Sequence, residues 1–141
     1  MPETVRETFH TTFLIGELSR RTGRSVHTIR WYEAQGLMPG VARDGGGRRV
    51  YGTLHASWLD LMDRLRRTGM SIAEMQRYTA LVMQGSSTLK ERQALLAAHR
   101  ARVLGTIAEW NQALELVDSK IEFYEEWAST GKRPKLLPTR S

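Results

Sequence analysis

Three large side chains stand next to one another in the segment SVHTIRWYEAQGL, namely Arg30, Trp31 and Tyr32. Consecutive residues of a helix point about 100° apart, so the three cannot all face one core and part of this surface must point outward. A planar guanidinium binds phosphates and guanine edges through two parallel hydrogen bonds. The segment therefore predicts an exposed helix face that recognises an anionic partner.

Residues that could catalyse a reaction or hold a metal ion form no recognisable pattern. The four histidines have no paired ligand spacing, and the chain has no cysteine, which removes thiolate metal sites, disulfides and thiol redox sensing. No nucleophile, base and orienting residue stand out together. The glycines of DGGGRR lack the Lys-Ser/Thr and the strand–helix context of a phosphate-binding loop. We expect no catalytic residue, no metal site, no cofactor and no enzyme activity.

Positive charge is concentrated in the front of the chain and in its last residues. Residues 1–88 contain 12 Arg, no Lys and 8 acids; residues 89–128 contain 5 cations and 7 acids; residues 129–141 contain 4 cations and no acids. The net charge of +6 and the pI of about 10.2 favour an acidic partner, with nucleic acid ahead of an anionic membrane surface. A solvated charged surface without a partner is the alternative.

Membrane and export signals are missing from the sequence. No apolar run approaches the roughly 20 residues that span a bilayer. The first twelve residues, MPETVRETFHTT, lack the apolar stretch of a signal peptide. We therefore expect a cytoplasmic protein that does not bind membranes.

Two short helices and a tight turn must position Arg30. Apolar residues in FLIGELSRRTG predict the first helix, which ends at Gly23, and Ser25 is a suitable N-cap for a second helix that ends at Gly36. This order is the helix-turn-helix pattern, in which the second helix lies in the major groove and its first residues reach base edges. We expect base contacts from four residues of this helix: Ser25, His27, Thr28 and Arg30.

The next segment, GLMPGVARDGGGRRVYG, is predicted to form a β-hairpin wing, because Pro39 and the glycines forbid a helix and DGGG is a tight-turn signal. Its candidate DNA contacts are Arg43, Arg48, Arg49 and Tyr51.

Two more helices are predicted after the wing. The third helix covers residues 53–68, and the fourth begins at Ser71, in the capping box SIAE, and ends at Gly85. Arg66 and Arg67, like the wing arginines, are expected to bind phosphates, which orient a protein on DNA without specifying sequence.

A long helix is predicted from Leu89 to about Trp127, after a second capping box, TLKE, that begins at Thr88. Its apolar residues follow a heptad repeat over about four heptads, which is above chance for a coiled coil. The predicted interface residues are Leu96, Val103, Ile107, Trp110, Leu114, Val117, Ile121 and Tyr124. Because such a stripe needs a partner helix, we expect a homodimer; a helix folded back on its own domain is the alternative.

These elements predict a mainly α fold, a winged helix-turn-helix DNA-binding domain followed by a long dimerisation helix that forms a coiled coil. The predicted boundaries are a flexible N-terminal arm over residues 1–12, the winged domain over 13–85, the coiled coil over 88–128 and a basic flexible tail over 129–141. The residues after the coil are too few for a separate ligand-binding domain.

Together these motifs resemble the MerR family of bacterial transcription regulators. The resemblance runs from FLIGELSRRTG through SVHTIRWYEAQGL, RRVY and LRRTGMSIAEM into the long helix, about residues 13–127. The segments STLKERQALLAAHRARV and LELVDSKIEFYEE are similar to the branch typified by NmlR and AdhR. Thiol-sensing members of that branch carry a cysteine where this chain has Arg64, so thiol sensing is not implied.

The resemblance implies roles for several side chains. Trp31, where family members often carry Tyr, and Tyr32 are similar to an aromatic pair that packs at the wing base and touches the DNA backbone. Tyr32 could instead be a core residue, and His27 could be a solvated helix residue. Arg30 is the best candidate for reading a guanine, because its fork matches the O6 and N7 acceptors.

The resemblance also implies a mechanism. Regulators of this family bind a promoter whose spacer is too long for RNA polymerase, and the activated dimer kinks and untwists it. A small-molecule effector would bind between the coil and the third and fourth helices of the other subunit, in a pocket lined by Trp58, Met62, Tyr78 and Tyr124; core packing is the alternative role for each. A DNA-architectural or interaction protein of the same fold, without a sensor, is the second hypothesis.

Overall fold

The computed structural model describes residues 12–135. Three short strands form an antiparallel sheet in the order β1-β3-β2: β1 (Thr12–Phe13), β2 (Ala42–Arg43) and β3 (Arg49–Gly52). Strands β2 and β3 are the expected wing hairpin, with Ala42 opposite Val50. Strand β1 was not expected: Thr12, assigned by the sequence to a flexible arm, pairs with Gly52. The rest of that arm lies outside the described residues.

Helices α1 (Ile15–Thr22) and α2 (Val26–Ala34) form the expected helix-turn-helix. Gly23 ends α1 with a φ of 68°, a left-handed conformation that costs glycine little. The hydroxyl of Ser25 accepts a hydrogen bond from the Thr28 amide at 3.1 Å, which confirms it as the N-cap of α2. The sequence therefore located both ends of this turn correctly.

Helices α3 (Thr53–Arg67) and α4 (Ile72–Met83) follow the wing. The start of α3 is closed by His55, whose Nδ1 accepts a hydrogen bond from the Gly52 amide at 2.9 Å. The hydroxyl of Ser71 accepts from the Glu74 amide at 3.1 Å, which confirms the predicted N-cap of α4.

The long helix α5 (Leu89–Thr130) begins directly after a 3₁₀ turn, Ser86–Thr88. Thr88 was predicted to cap this helix, but its hydroxyl is directed back to the end of α4, where it donates to the Leu81 carbonyl at 2.5 Å. The same oxygen accepts a hydrogen bond from Arg92 at 3.0 Å. Thr88 therefore joins α4 to the start of α5, which differs from the predicted capping box.

The four helices α1, α2, α3 and α4, strand β3 and the loop after α2 share one hydrophobic core. Its fully buried side chains are Leu18, Ile29, Tyr32, Leu37, Tyr51, Leu59, Met62 and Met75. Leu95 and Leu96, near the start of α5, pack against the edge of this core. Leu96 is thus partly covered by its own domain, and its place in a dimer interface stays a prediction.

The chain divides into two compact units at Arg100. The first includes the beginning of α5, whereas the predicted winged domain ended at residue 85. In the second unit, the predicted tail begins as helix, since α5 extends to Thr130 and Gly131 ends it with a φ of 68°. Residues 136–141 of that tail are not among the described ones. No helix within residues 12–135 is both long and apolar enough to cross a membrane.

Candidate nucleic-acid interface

The first half of α2 presents polar side chains to solvent. Ser25, His27 and Arg30 are exposed, and Thr28 is half-buried. The hydroxyls of Ser25 and Thr28 share a hydrogen bond of 2.9 Å. Within residues 12–135, Arg30 forms no ion pair, so its donors are available to a ligand. This surface has the exposure that base reading in a major groove requires.

The second half of α2 is held by its aromatic residues. Tyr32 is fully buried, and its hydroxyl donates to Asp63 Oδ1 at 3.3 Å. Trp31 is half-buried and makes an edge contact with Tyr32, with ring centroids 5.1 Å apart. The guanidinium of Arg66 lies 5.7 Å from the Trp31 ring. The burial of Tyr32 contradicts its predicted contact with the DNA backbone, whereas Trp31 keeps an exposed part.

The tip of the wing is organised by Asp44. Its Oδ1 accepts hydrogen bonds from the amides of Gly46 and Arg48, at 3.0 and 2.9 Å, and its Oδ2 accepts from Arg48 Nε at 3.1 Å. These bonds hold the pKa of Asp44 below its ordinary value. Arg43 donates to the Gly47 carbonyl at 2.8 Å, which closes the turn from the other strand. The tip is therefore an ordered loop with exposed arginines.

Glu33 connects α2 to the wing. Its carboxylate forms an ion pair with Arg49 and accepts a hydrogen bond from the Tyr51 hydroxyl at 3.0 Å. Burial, together with the charge of Glu33, raises the pKa of Tyr51 to about 12. Tyr51 is 1% exposed, which contradicts its prediction as a DNA contact. Its position makes it a support for the wing instead.

A cleft of about 600 Å³ lies between α2 and the wing. The charged side chains that line it are Arg30, Arg43, Arg48, Arg49 and Glu33. Four cations and one carboxylate give this cleft a net positive charge. The predicted base-reading arginine and the predicted phosphate-binding arginines therefore lie on one surface.

A second group of arginines surrounds Asp63. Arg24 and Arg67 approach its Oδ2 at 3.3 and 2.9 Å, and Arg66 approaches its Oδ1 at 3.2 Å. Burial raises the pKa of Asp63, but the hydrogen bond from Arg66 and the charges of Arg67 and Arg24 outweigh it, so this pKa lies below its ordinary value. The carboxylate is ionised at neutral pH and holds all three guanidiniums.

Comparison with known proteins decides the family. The model of the MerR HTH family regulatory protein matches residues 13–81. An HTH-type transcriptional regulator of Haemophilus influenzae, described as uncharacterized, is 32% identical over 120 residues, 85% of this chain and 89% of that protein. The chain belongs to the MerR family. It is thus one of a family of transcriptional regulators, which are not enzymes.

Two further MerR relatives bear on the branch. The HTH-type transcriptional regulator AdhR of Bacillus subtilis is 32% identical over 90 residues, 64% of each chain. The structure of HiNmlR, described as a MerR family regulator lacking the sensor domain and bound to promoter DNA, superposes with a TM-score of 0.72. The two sequences are 31% identical, and the superposition covers 86% of this chain and 97% of the HiNmlR chain. Both relatives agree with the predicted NmlR/AdhR-like branch.

In this MerR chain the three residues predicted to line an effector pocket lie in the core of the DNA-binding domain or pack against it. The rings of Trp58 and Tyr78 stack at 5.5 Å with planes 4° apart, and Trp58 Nε1 donates to the Leu37 carbonyl at 2.6 Å. Met62 is fully buried in the core. Within one chain these three residues therefore have the packing role that the sequence left open as the alternative, and the pocket between two subunits stays a prediction.

Glu33, Asp63 and Arg24 were not among the predicted site residues. Glu33 lies within the predicted second helix. Asp63 lies within the predicted third helix, whose apolar face was identified from other residues. Helical periodicity identifies the inward face, but it does not show which distant cation an acidic residue meets. The one available signal was the group of arginines directly after Asp63, at positions 64, 66 and 67.

Proposed function

We propose that this MerR family protein binds double-stranded promoter DNA in a sequence-specific manner as a homodimer and regulates transcription there. The observation that carries the proposal is the position of Arg30, which forms no ion pair among residues 12–135, beside the arginine-lined wing on one positive surface. Arg30 would read a guanine, helped by Ser25, His27 and Thr28 at the helix start. Such a protein would act in the bacterial cytoplasm.

The wing would hold the DNA backbone. Arg43, Arg48 and Arg49 are exposed, and each guanidinium keeps free N–H donors beyond its contact within the protein. Phosphate contacts of this kind fix register and orientation without reading sequence. The intramolecular partners of Arg48 and Arg49, Asp44 and Glu33, would keep both guanidiniums ordered before DNA arrives.

Dimerisation would occur through the apolar stripe of α5. Ile107, Leu114 and Ile121 are 50 to 55% exposed, and Trp110 is 71% exposed. Val103, Val117 and Tyr124 complete the stripe at heptad spacing. Large apolar side chains in a continuous exposed row are typical of an interface, because their burial is favourable. Two chains joined in this way would match a two-fold symmetric DNA site.

We further propose that the dimer acts by distorting the promoter so that RNA polymerase can use it. Bending a site of 20–30 base pairs costs on the order of 1–10 kcal/mol, so a modest change in the geometry of the two DNA-binding domains could switch transcription. Support comes from the relative HiNmlR, whose structure contains promoter DNA. A small-molecule effector would change that geometry.

A sensor-less DNA-architectural protein is the second candidate function. It is favoured by the stacking of Trp58 on Tyr78, because the ring faces that contact each other are not available to an effector. HiNmlR is likewise described as lacking a sensor domain. Under this function the dimer shapes DNA without an effector.

Transcription in vitro separates these functions. The templates are the promoter upstream of the protein's own gene and the same promoter with a spacer about two base pairs shorter. A distorting regulator should raise transcription from the native spacer and not from the shortened one, and candidate aldehydes or cationic drugs should alter the effect if an effector exists. Equal, unaffected transcription from both templates would contradict distortion and favour the architectural function.

A further inference from the structure

Asp63 gathers side chains from three parts of the DNA-binding domain. Arg24 lies between α1 and α2, Tyr32 belongs to α2, and Arg66 and Arg67 form the last turn of α3. All four contact the two oxygens of this carboxylate at distances between 2.9 and 3.3 Å. The Tyr32 hydroxyl and the guanidiniums of Arg24 and Arg66 donate hydrogen bonds to Asp63, and Arg67 adds an ion pair.

The arginines keep donors on their outer sides. The ion pair of Arg67 with Asp63 joins Nε to Oδ2 at 2.9 Å. Arg66 uses Nε on the Tyr32 hydroxyl at 3.1 Å and Nη2 on Asp63. The side chain of Arg67 is 73% exposed and that of Arg66 is 45% exposed, so the remaining N–H groups face solvent. Each guanidinium is therefore fixed at its inner edge and open at its outer edge.

The cluster has more positive than negative charge. Its ion-paired members are Arg24, Arg64, Arg66, Arg67, Asp60 and Asp63, which sum to +2 from four cations and two anions. Asp60 differs from Asp63 because its side chain is 52% exposed and pairs with only two arginines. An ordered, solvent-facing excess of guanidinium groups fits a phosphate, which accepts several such donors at once.

We propose that Asp63 is a positioning residue that holds Arg66 and Arg67 as one binding site for a phosphate of the DNA backbone; Arg24, whose side chain is 18% exposed, is an inner partner of Asp63. The inference deepens the proposed function and rests on it, because it assigns a second phosphate contact beside the wing. It adds Asp63 to the residues on which the interface depends. Asp63 does not touch DNA; it acts through Arg66 and Arg67.

The direction in which one substitution changes DNA affinity separates this positioning role from long-range electrostatic attraction. Asp63→Asn removes a negative charge next to DNA, so long-range attraction alone would make the variant bind more tightly. If Asp63 positions the arginines, the variant binds more weakly although its charge has become more positive. Asp60→Asn makes the same charge change on the same helix and leaves the contacts of Arg66 and Arg67 with Asp63 in place, which makes it the matched control.

The experiment measures affinity at several salt concentrations for a duplex from the promoter of the protein's own gene and for a random-sequence duplex. We expect Asp63→Asn to bind both duplexes about fivefold more weakly than wild type, with a salt slope lower by about 1. Asp60→Asn should bind as tightly as wild type or more tightly. Asp63→Asn binding as tightly as Asp60→Asn would overturn the inference, and wild type that binds neither duplex would instead contradict the proposed function.

A second pair of variants covers the case in which Asp63→Asn does not fold. Arg67→Met and Arg64→Met alter side chains that are equally exposed, at 73% and 74%, but only Arg67 pairs with Asp63. Arg67→Met should lower both the affinity and the salt slope by more than Arg64→Met does. Equal effects of the two substitutions would contradict a specific cluster on Asp63.

Discussion

At the scale of single residues, the arginines of the interface fall into two kinds. Arg30 forms no ion pair among the described residues, whereas Arg48 and Arg49 each pair with a carboxylate of their own domain. A free guanidinium can turn both of its edges to a base, and a guanidinium that is held on one side presents a fixed cation. We therefore assign sequence reading to Arg30 and backbone binding to the wing.

Substitution of these arginines tests the division. Arg30→Ala should cost roughly 1–3 kcal/mol on the selected site and much less on random DNA, because it removes a base contact. Arg48→Ala should weaken both complexes alike and lower the salt slope by about 1. Binding isotherms on both duplexes at several salt concentrations measure these effects. If Arg30→Ala weakened both complexes equally, Arg30 would not read a base.

A buried histidine gives the DNA-binding domain a dependence on pH. His55 accepts from the Gly52 amide at Nδ1, so Nε2 carries the proton and donates to the Pro39 carbonyl at 2.6 Å. Burial lowers the pKa of His55 below 6.5, although the Pro39 bond and the charge of Glu33 oppose the shift. The unfolded chain therefore takes up the proton first as the pH falls.

The expected result is a loss of stability below about pH 6.5, the ordinary pKa of histidine. The contribution of His55 to the free energy of unfolding is fully present above that pH. It decreases as the pH falls toward the lower pKa that His55 has in the folded state. Urea denaturation at several pH values measures it, with His55→Gln as the variant that cannot titrate and His27→Gln as an exposed control. A steeper pH dependence in His55→Gln than in wild type would contradict the assignment.

At the scale of elements, α2 is fixed on two sides by carboxylates. Glu33 joins it to the wing, and Asp63 joins it to α3 through Tyr32. The sequence predicted the helices, the wing and the turns correctly, because glycine, the N-cap serines and apolar spacing are local signals. It missed β1, because a two-residue strand paired with distant residues leaves no periodicity. It missed both carboxylates for the same reason, since their partners are far along the chain.

Loss of Glu33 should loosen the wing. Glu33→Ala leaves the Tyr51 hydroxyl buried without its acceptor, which should lower the free energy of unfolding by about 1–3 kcal/mol. Amide hydrogen exchange should become faster in β2 and β3 and stay unchanged in α4. Glu17→Ala, which removes two exposed ion pairs on α1, is the control and should have little effect. Unchanged exchange in the wing would show that Glu33 does not hold it.

At the scale of the whole molecule, the apolar stripe of α5 is the feature that one chain leaves unexplained. Its side chains from Ile107 to Tyr124 are each at least half exposed, a costly arrangement for a single chain in water. The heptad spacing predicts that these side chains form an interface. It did not show that Leu96 also packs on the DNA-binding domain, because a heptad position does not identify every partner of a side chain.

Trp110→Glu tests the dimer. A charge introduced at the middle of the stripe would be buried without a partner, so the variant should sediment as a monomer at concentrations where wild type is a dimer. Leu116→Glu is a matched control, because Leu116 is 69% exposed, nearly as much as Trp110, but lies off the stripe. Dissociation by both substitutions, or by neither, would contradict an interface centred on Trp110.

Hydroxyl-radical footprinting of the wild-type protein, on a duplex that it has itself selected from a random pool, tests most directly whether a dimer reads DNA through α2. We expect an enriched sequence with two-fold symmetry and two equivalent protected regions, about 34 Å apart or a multiple of that distance. Arg30→Ala should lose this protection at concentrations where the wild type is fully bound. Selection without any enriched sequence, or a single unsymmetric protected region, would contradict a dimeric regulator that reads DNA through α2.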